Sequence, residues 1–248
     1  SITQGDNNTV VGRNAGGSLN TGNNNSILGA FAGDSLTTGG QNIAIGFGAL
    51  GAEDTGLTAV AVGYQALNNQ NYDGSSYNTA VGYNAGLAVT TGLYNTVLGG
   101  EALKTNIDGD KKKAIGNGVT TGNNNIAVGV SAGLSLTAGS DNVVIGSYAG
   151  DALNEGDNNV AIGKFSLSGA TIGNSNVAIG NLAMTTNVAA DRNVAVGHQA
   201  LQMMTAASTA DHYNVAVGYN AGNQVASGTH NTLIGALAGD ALDGGGAN

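Results

Sequence analysis

The sequence predicts an all-β fold, a β-solenoid (β-roll) of about 14 coils with a period of about 17 residues. Three observations predict it. A phrase of Asn, two small or β-branched residues, a Val, Ile or Leu, and Gly returns along the chain. It closes on Gly12, Gly29, Gly46, Gly63, Gly82, Gly99, Gly116, Gly129, Gly146, Gly163, Gly180, Gly197, Gly218 and Gly235, and ten of the thirteen intervals equal 17. Asn stands four before that glycine in twelve of the fourteen repeats. Finally, glycine supplies 43 of 248 residues while proline is absent. Proline cannot donate to a strand ladder, so its absence suits coils that pair with their neighbours along nearly all their length. A solenoid grows by adding coils, so the chain reads as one repeat domain, 1–248, with an irregular short coil near 104–124.

Each coil opens on the Asn column: Asn8, Asn25, Asn42, Asn78, Asn95, Asn125, Asn142, Asn159, Asn176, Asn193, Asn214 and Asn231, with Ala59 and Lys112 as exceptions. Stacked side-chain amides can hydrogen-bond from coil to coil. Asn as a turn residue tolerating left-handed dihedrals is the other role open to it, and the two can coexist. A short strand follows. Strand side chains alternate faces, so in Asn193-Val194-Ala195-Val196-Gly197 the two valines share one face and Asn193 and Ala195 the other. The expectation is that one face fills the coil interior while the narrow, Ala-dominated face lies against another chain.

Three after the glycine stands Ala, except at Val119 and Ser166. The next position is Gly in seven repeats (Gly16, Gly33, Gly86, Gly133, Gly150, Gly222, Gly239), each followed three residues later by Leu or Val. In six others it is Leu or Met (Leu50, Leu67, Leu103, Leu167, Met184, Leu201), followed by Glu53, Gln70, Asn106, Ala170, Asn187 or Met204. One buried slot per coil, filled from either of two positions three apart, accounts for this alternation. The coil then turns through a polar segment with Gly ten after the phrase glycine in ten repeats, read as a left-handed position. Insertions fall in this segment, around Asn69–Ser76 and Met204–His212. Insertions confined to one part of a repeat map to loops on one face, often a contact face. The candidate surface contacts are therefore Tyr72, His212 and Tyr213, together with Tyr64, Tyr83 and Tyr219, which follow the phrase glycine at a variable position.

Composition narrows function by exclusion. Net charge is −9, with 16 acidic and 7 basic residues, which argues against nucleic acid as a partner. Cysteine is absent, so there is neither a disulfide framework nor a thiolate metal site. No apolar run reaches the roughly 18 residues of a membrane-spanning helix, so membrane insertion is not expected. The opening Ser1-Ile2-Thr3-Gln4-Gly5-Asp6 lacks the regions of a signal peptide, and the chain reads as part of a longer polypeptide or a processed product. The histidines are His198, His212 and His230, the latter two about a coil apart and read as solvated loop residues. Asp108-Gly109-Asp110 lacks the ligand count of a calcium loop, and Lys111-Lys112-Lys113 marks a disrupted coil. No phosphate-binding glycine motif and no nucleophile–His–acid arrangement stands out. The expectation is a non-enzyme with no cofactor and no metal.

Phrases such as Asn78-Thr79-Ala80-Val81-Gly82-Tyr83-Asn84-Ala85-Gly86, followed by Thr90-Thr91-Gly92, resemble the repeats of phage tail-fibre and related cell-surface proteins. More loosely they resemble the head domains of trimeric autotransporter adhesins, whose repeats are shorter than 17. The resemblance implies three parallel copies, each a left-handed β-roll, packed through Ala/Val-rich faces. It implies a stiff trimeric rod on a virion or cell surface, presenting loops for attachment to a glycan or protein receptor. Eleven aromatics in 248 residues enclose little apolar volume, which points to self-association independently. Two alternatives stand beside it: an ice-binding solenoid, since a grass ice-binding protein has a comparable coil, and a self-assembling extracellular filament. The outward column an ice-binder needs reads Thr9, Ser26, Ile43, Val60, Thr79, Thr96, Lys113, Ile126, Val143 and is broken.

Overall fold

The computed structural model describes residues 5–105, 108–116, 122–205 and 210–243; Asn106 and Val119 lie outside them. The architecture is a parallel β-solenoid with no helix among the described residues. The chain divides into two compact units, Ser1–Asn117 and Gly118–Asn248, and the division falls inside the irregular coil near 104–124.

The first unit stacks β1 (Thr9–Val11), β2 (Ser26–Leu28), β3 (Ile43–Ile45), β4 (Val60–Val62), β5 (Thr79–Val81), β6 (Thr96–Leu98) and β7 (Lys113–Ile115). The second stacks β8 (Ile126–Val128), β9 (Val143–Ile145), β10 (Val160–Ile162), β11 (Val177–Ile179), β13 (Val194–Val196), β15 (Val215–Val217) and β16 (Thr232–Ile234). There the coil with the four-residue insertion adds a small parallel pair, β12 (Ala190–Asp191) with β14 (Ala210–Asp211). Register follows the repeat: Ile43 pairs Val60 and Ala44 pairs Ala61, while Val177 pairs Val194 and Ala178 pairs Ala195. The ladder continues beyond the strands, with Phe31 N donating to Arg13 O at 2.9 Å and Gly33 N to Ala49 O at 2.9 Å. Coils paired over most of their length leave proline little room.

The parity of the strands is as expected, but the faces are inverted. The middle residue of the strand points inward: Ala44, Ala61, Ala80, Ala161, Ala178 and Ala195 are fully buried. The Val, Ile or Leu before each glycine and the residue two before it point outward. Val11 is 56% exposed, Leu98 47% and Ile234 71%. The cause is volume. Each coil is narrow, so its interior holds the Asn amide, small Ala methyls and few large side chains; the mid-strand residue is Ala in most coils and a buried Ile27, Val97, Val144 or Leu233 in others. The Ala column thus faces the coil's own interior, and the face turned outward is the aliphatic one.

That branched side chain comes from either of the two anticipated positions. Leu36, Leu136 and Leu153 are buried in Gly-type coils, and Leu50, Leu167 and Met184 in the other type. A Cβ built on Gly33 would stand 2.8 Å from Leu36 Cδ1, so the two suppliers compete for one space. The four-after position is left-handed whichever residue occupies it, with φ 48° at Gly33 and 54° at Leu50. In Leu-type coils the later position is buried with a polar or small side chain at Glu53, Gln70, Ala170 and Asn187, whereas Met204 is a second large side chain buried in the coil of Leu201.

The glycine ten after the phrase corrects another expectation, because Gly39 and Gly156 are absent from the left-handed region. Close approach of stacked backbones requires them: a Cβ on Gly39 would meet Gly56 O at 2.5 Å. The phrase glycine itself carries the unusual dihedral, φ 128° at Gly163.

Candidate functional site

Three columns of side chains run along the stacked coils. The first is internal. Each Asn of the column closes its own coil and holds the next. Asn159 Nδ2 donates to Gly173 O at 2.8 Å, while its Oδ1 accepts from the backbone N–H of Asn176 at 2.9 Å. The same pair of bonds recurs at Asn25, Asn42, Asn95, Asn142 and Asn176. Asn78 donates to Gly92 O and accepts from Asn95 N. Asn214 donates to Gly228 O, and its Oδ1 accepts from Asn231 N. Asn193 accepts from Asn214 N, and Asn125 donates to Gly139 O and accepts from Asn142 N. Asn8 is half-buried, donating to Gly22 O at 2.7 Å. The left-handed residue is the one before the column, for example Asn24 at φ 59° and Tyr94 at φ 59°. The column is thus an amide ladder, and the turn dihedral belongs to its neighbour.

Both interruptions of the column have consequences that the repeat pattern alone does not reveal. At Ala59 there is no amide, and a buried network replaces it. Asn78 Nδ2 donates to Gln70 Oε1 at 2.8 Å, and Gln70 Nε2 donates to Glu53 Oε2 at 3.0 Å and Ser76 Oγ at 3.2 Å. Burial pushes the Glu53 carboxyl above its ordinary range, against hydrogen bonds from Gln70, Gly56 and Tyr72 that pull it down. At Lys112 an amine occupies the fully buried amide position. Burial lowers it to about 8, while Asp110 and Asp108 act in the opposite direction. Both substitutions were visible in the sequence; the replacement network was not, because its members come from three different positions of the repeat.

The second column is the outward aliphatic face. In the second unit it reads Ile126/Val128, Val143/Ile145, Val160/Ile162, Val177/Ile179, Val194/Val196, Val215/Val217 and Thr232/Ile234. None of these side chains is buried, and neighbours on the same face cover them only in part. In the first unit the same face mixes Thr9, Ser26, Thr79, Thr96 and Lys113 among the aliphatics.

The third column is aromatic. Phe47 stacks on Tyr64 and Tyr64 on Tyr83, each with ring centroids 5.2 Å apart, the spacing of adjacent coils. Tyr219 stacks on His198 at 5.3 Å. The candidate contacts Tyr64, Tyr83 and Tyr219 are exposed, but with faces turned to neighbouring rings they offer mainly edges and hydroxyls to solvent. Tyr72 is half-buried, its backbone N–H turned toward Glu53. Tyr213 is exposed, its hydroxyl 2.8 Å from Asp211 Oδ2, with Arg192 above its ring and His230 beside it. His212 is corrected to a buried residue, 6% exposed, its Nδ1 2.6 Å from Ala210 O. Alternation after β14 sends Asp211 and Tyr213 outward and His212 inward. His230 meets it only through a backbone bond, N–H to His212 O at 2.7 Å. No group of three metal-ligating side chains forms among the described residues, and no helix among them is long and apolar enough to cross a membrane.

No family model matches the chain, and neither the curated proteins nor the solved structures searched contain a significant match to it.

Proposed function

We propose that the chain is a structural fibre or adhesin segment that assembles as a parallel homotrimer on a virion or cell surface and presents its edges for attachment. The observation that carries this reading is the outward aliphatic face. Across the seven stacked strands of the second unit, thirteen of its fourteen side chains are Val or Ile. At about 4.8 Å per rung, that face runs roughly 29 Å without a charge. A flat apolar strip of this kind marks an association surface, because soluble chains rarely leave one uncovered. A second copy carries the same strip, and parallel in-register strands make it complementary to itself. Light scattering on the full chain is expected to give three times 24.2 kDa, and Ile179→Asp a smaller mass; a monomer at micromolar concentration overturns the proposal.

Ice binding is the second reading, favoured by the same regular outward rungs and by Thr9, Thr79 and Thr96 on them. It predicts thermal hysteresis, and a solution without any removes it.

A further inference from the structure

One coil of the first unit is missing side chains that its neighbours carry. Two after the phrase glycine the column reads Phe31, Gly48, Gln65, and five after it reads Asp34, Gly51, Asn68. Both glycines of the middle coil carry no side chain of their own, and the Asn68 amide of the next coil reaches over them, its Nδ2 3.2 Å from where a Cβ of Gly48 would stand. The result is an open recess of about 490 Å³ with Gly48 and Gly51 as its floor. Phe31 and Phe47 wall it, their rings 5.6 Å apart and inclined at 68°. Polar groups converge on the floor. Asn68 Nδ2 and Asp34 Oδ1 lie 2.6 and 3.5 Å from where a Cβ of Gly51 would stand, and Asn68 also donates to Gly48 O at 2.6 Å.

We infer that this recess binds a single pyranose unit of a neutral glycan. The Phe31 ring, set at 68° to Phe47 and outside the Phe47–Tyr64–Tyr83 stack, suits the C–H face of a sugar ring, and a carboxylate beside an amide suits its hydroxyls. The floor backbone is already paired, Gly48 N to Ala30 O at 3.0 Å and Gln65 N to Phe47 O at 2.8 Å, so a peptide cannot add here as a strand. The one charged group lining the recess is Asp34, which disfavours phosphate and carboxylate ligands. The site names a ligand class for the attachment reading and depends on that reading only for its biological setting.

Saturation-transfer NMR with the methyl glycosides of glucose, galactose, mannose and N-acetylglucosamine tests it on the full chain. Transfer to at least one of them is expected. Gly48→Phe closes the recess; the same left-handed position holds Phe31 at φ 58° and Phe165 at φ 57°, and the Asn68 amide, 3.2 Å from the new Cβ, shifts to admit it. That variant is expected to abolish transfer with an unchanged melting temperature. Asp34→Asn, which alters no floor residue, is expected to weaken binding roughly tenfold through loss of a charge-assisted hydrogen bond. No transfer to any of the four sugars, or transfer that survives Gly48→Phe, overturns the inference. A trimer without transfer sinks the recess alone, and a monomer with transfer sinks the fibre reading alone.

Discussion

Asn159 shows how much one side chain does in this molecule. Its amide satisfies Gly173 O and the backbone N–H of Asn176, both inside a dry coil interior. Asn159→Ala strands both partners, and each buried unsatisfied group costs about 1–3 kcal/mol. We expect a loss of roughly 2–5 kcal/mol, with faster hydrogen exchange at the Asn176 amide than at amides several coils away; uniform exchange would mean that the ladder is not local support. Lys112 gives the opposite sign. Its folded-state pKa of about 8 lies below the unfolded 10.5, so between those values the unfolded chain binds more protons. Stability is therefore expected to rise as pH increases from about 8 toward 10.5, and this rise should vanish in Lys112→Met. Urea titrations at several pH values check both chains.

Within a coil the shared slot makes a sharper prediction than any single substitution. Leu36→Ala empties it, at about 2–5 kcal/mol. Gly33→Leu crowds it, because the new Cβ meets Leu36 Cδ1 at 2.8 Å, and overpacking costs about 1–3 kcal/mol. The double variant reproduces the arrangement of Leu167 with Ala170, both fully buried. It is expected to be more stable than either single variant, which denaturant unfolding of the three chains measures; additive losses would contradict a shared slot. This alternation was legible in the sequence because it concerns volume at fixed spacing. The period, the strand parity and the register of Ala44 on Ala61 were legible for the same reason. Which face turned inward was not. Ranking Val196 above Ala195 by hydrophobicity puts the larger residue inside, whereas the coil turns the middle residue of the strand inward, Ala in most coils and Ile27, Val97 or Val144 in others. The glycines ten after the phrase misled similarly: a column of glycine reads as a left-handed dihedral, and only the approach of Gly56 O to the Cβ position of Gly39 shows that space is the reason. His212 went astray because it lies in the coil with the four-residue insertion, where β14 and its pairing with β12 set its parity.

Taken together, the strands turn mostly Ala inward and their flanking branched residues outward, while the buried branched side chains come mainly from the turn that follows. Apolar area exposed in that pattern favours assembly over solitary existence. The surface aromatics do not supply the same drive, since Phe47, Tyr64 and Tyr83 already bury their faces on one another. Their stacking was hidden from a linear reading because the position they share is filled differently in most coils. The recess at Gly48 was hidden likewise; laying the repeats in register reveals two glycines where neighbouring rungs carry side chains, but only coordinates show Asp34 and Asn68 converging over them. Because the chain has no cysteine, a spin label can be placed at one site of choice. Attached at Asn181→Cys, beside Ile179 and the aliphatic face, it reports directly on whether that face meets other copies. The account predicts dipolar coupling between labels that disappears on dilution with unlabelled chain; an uncoupled label at every concentration would contradict it.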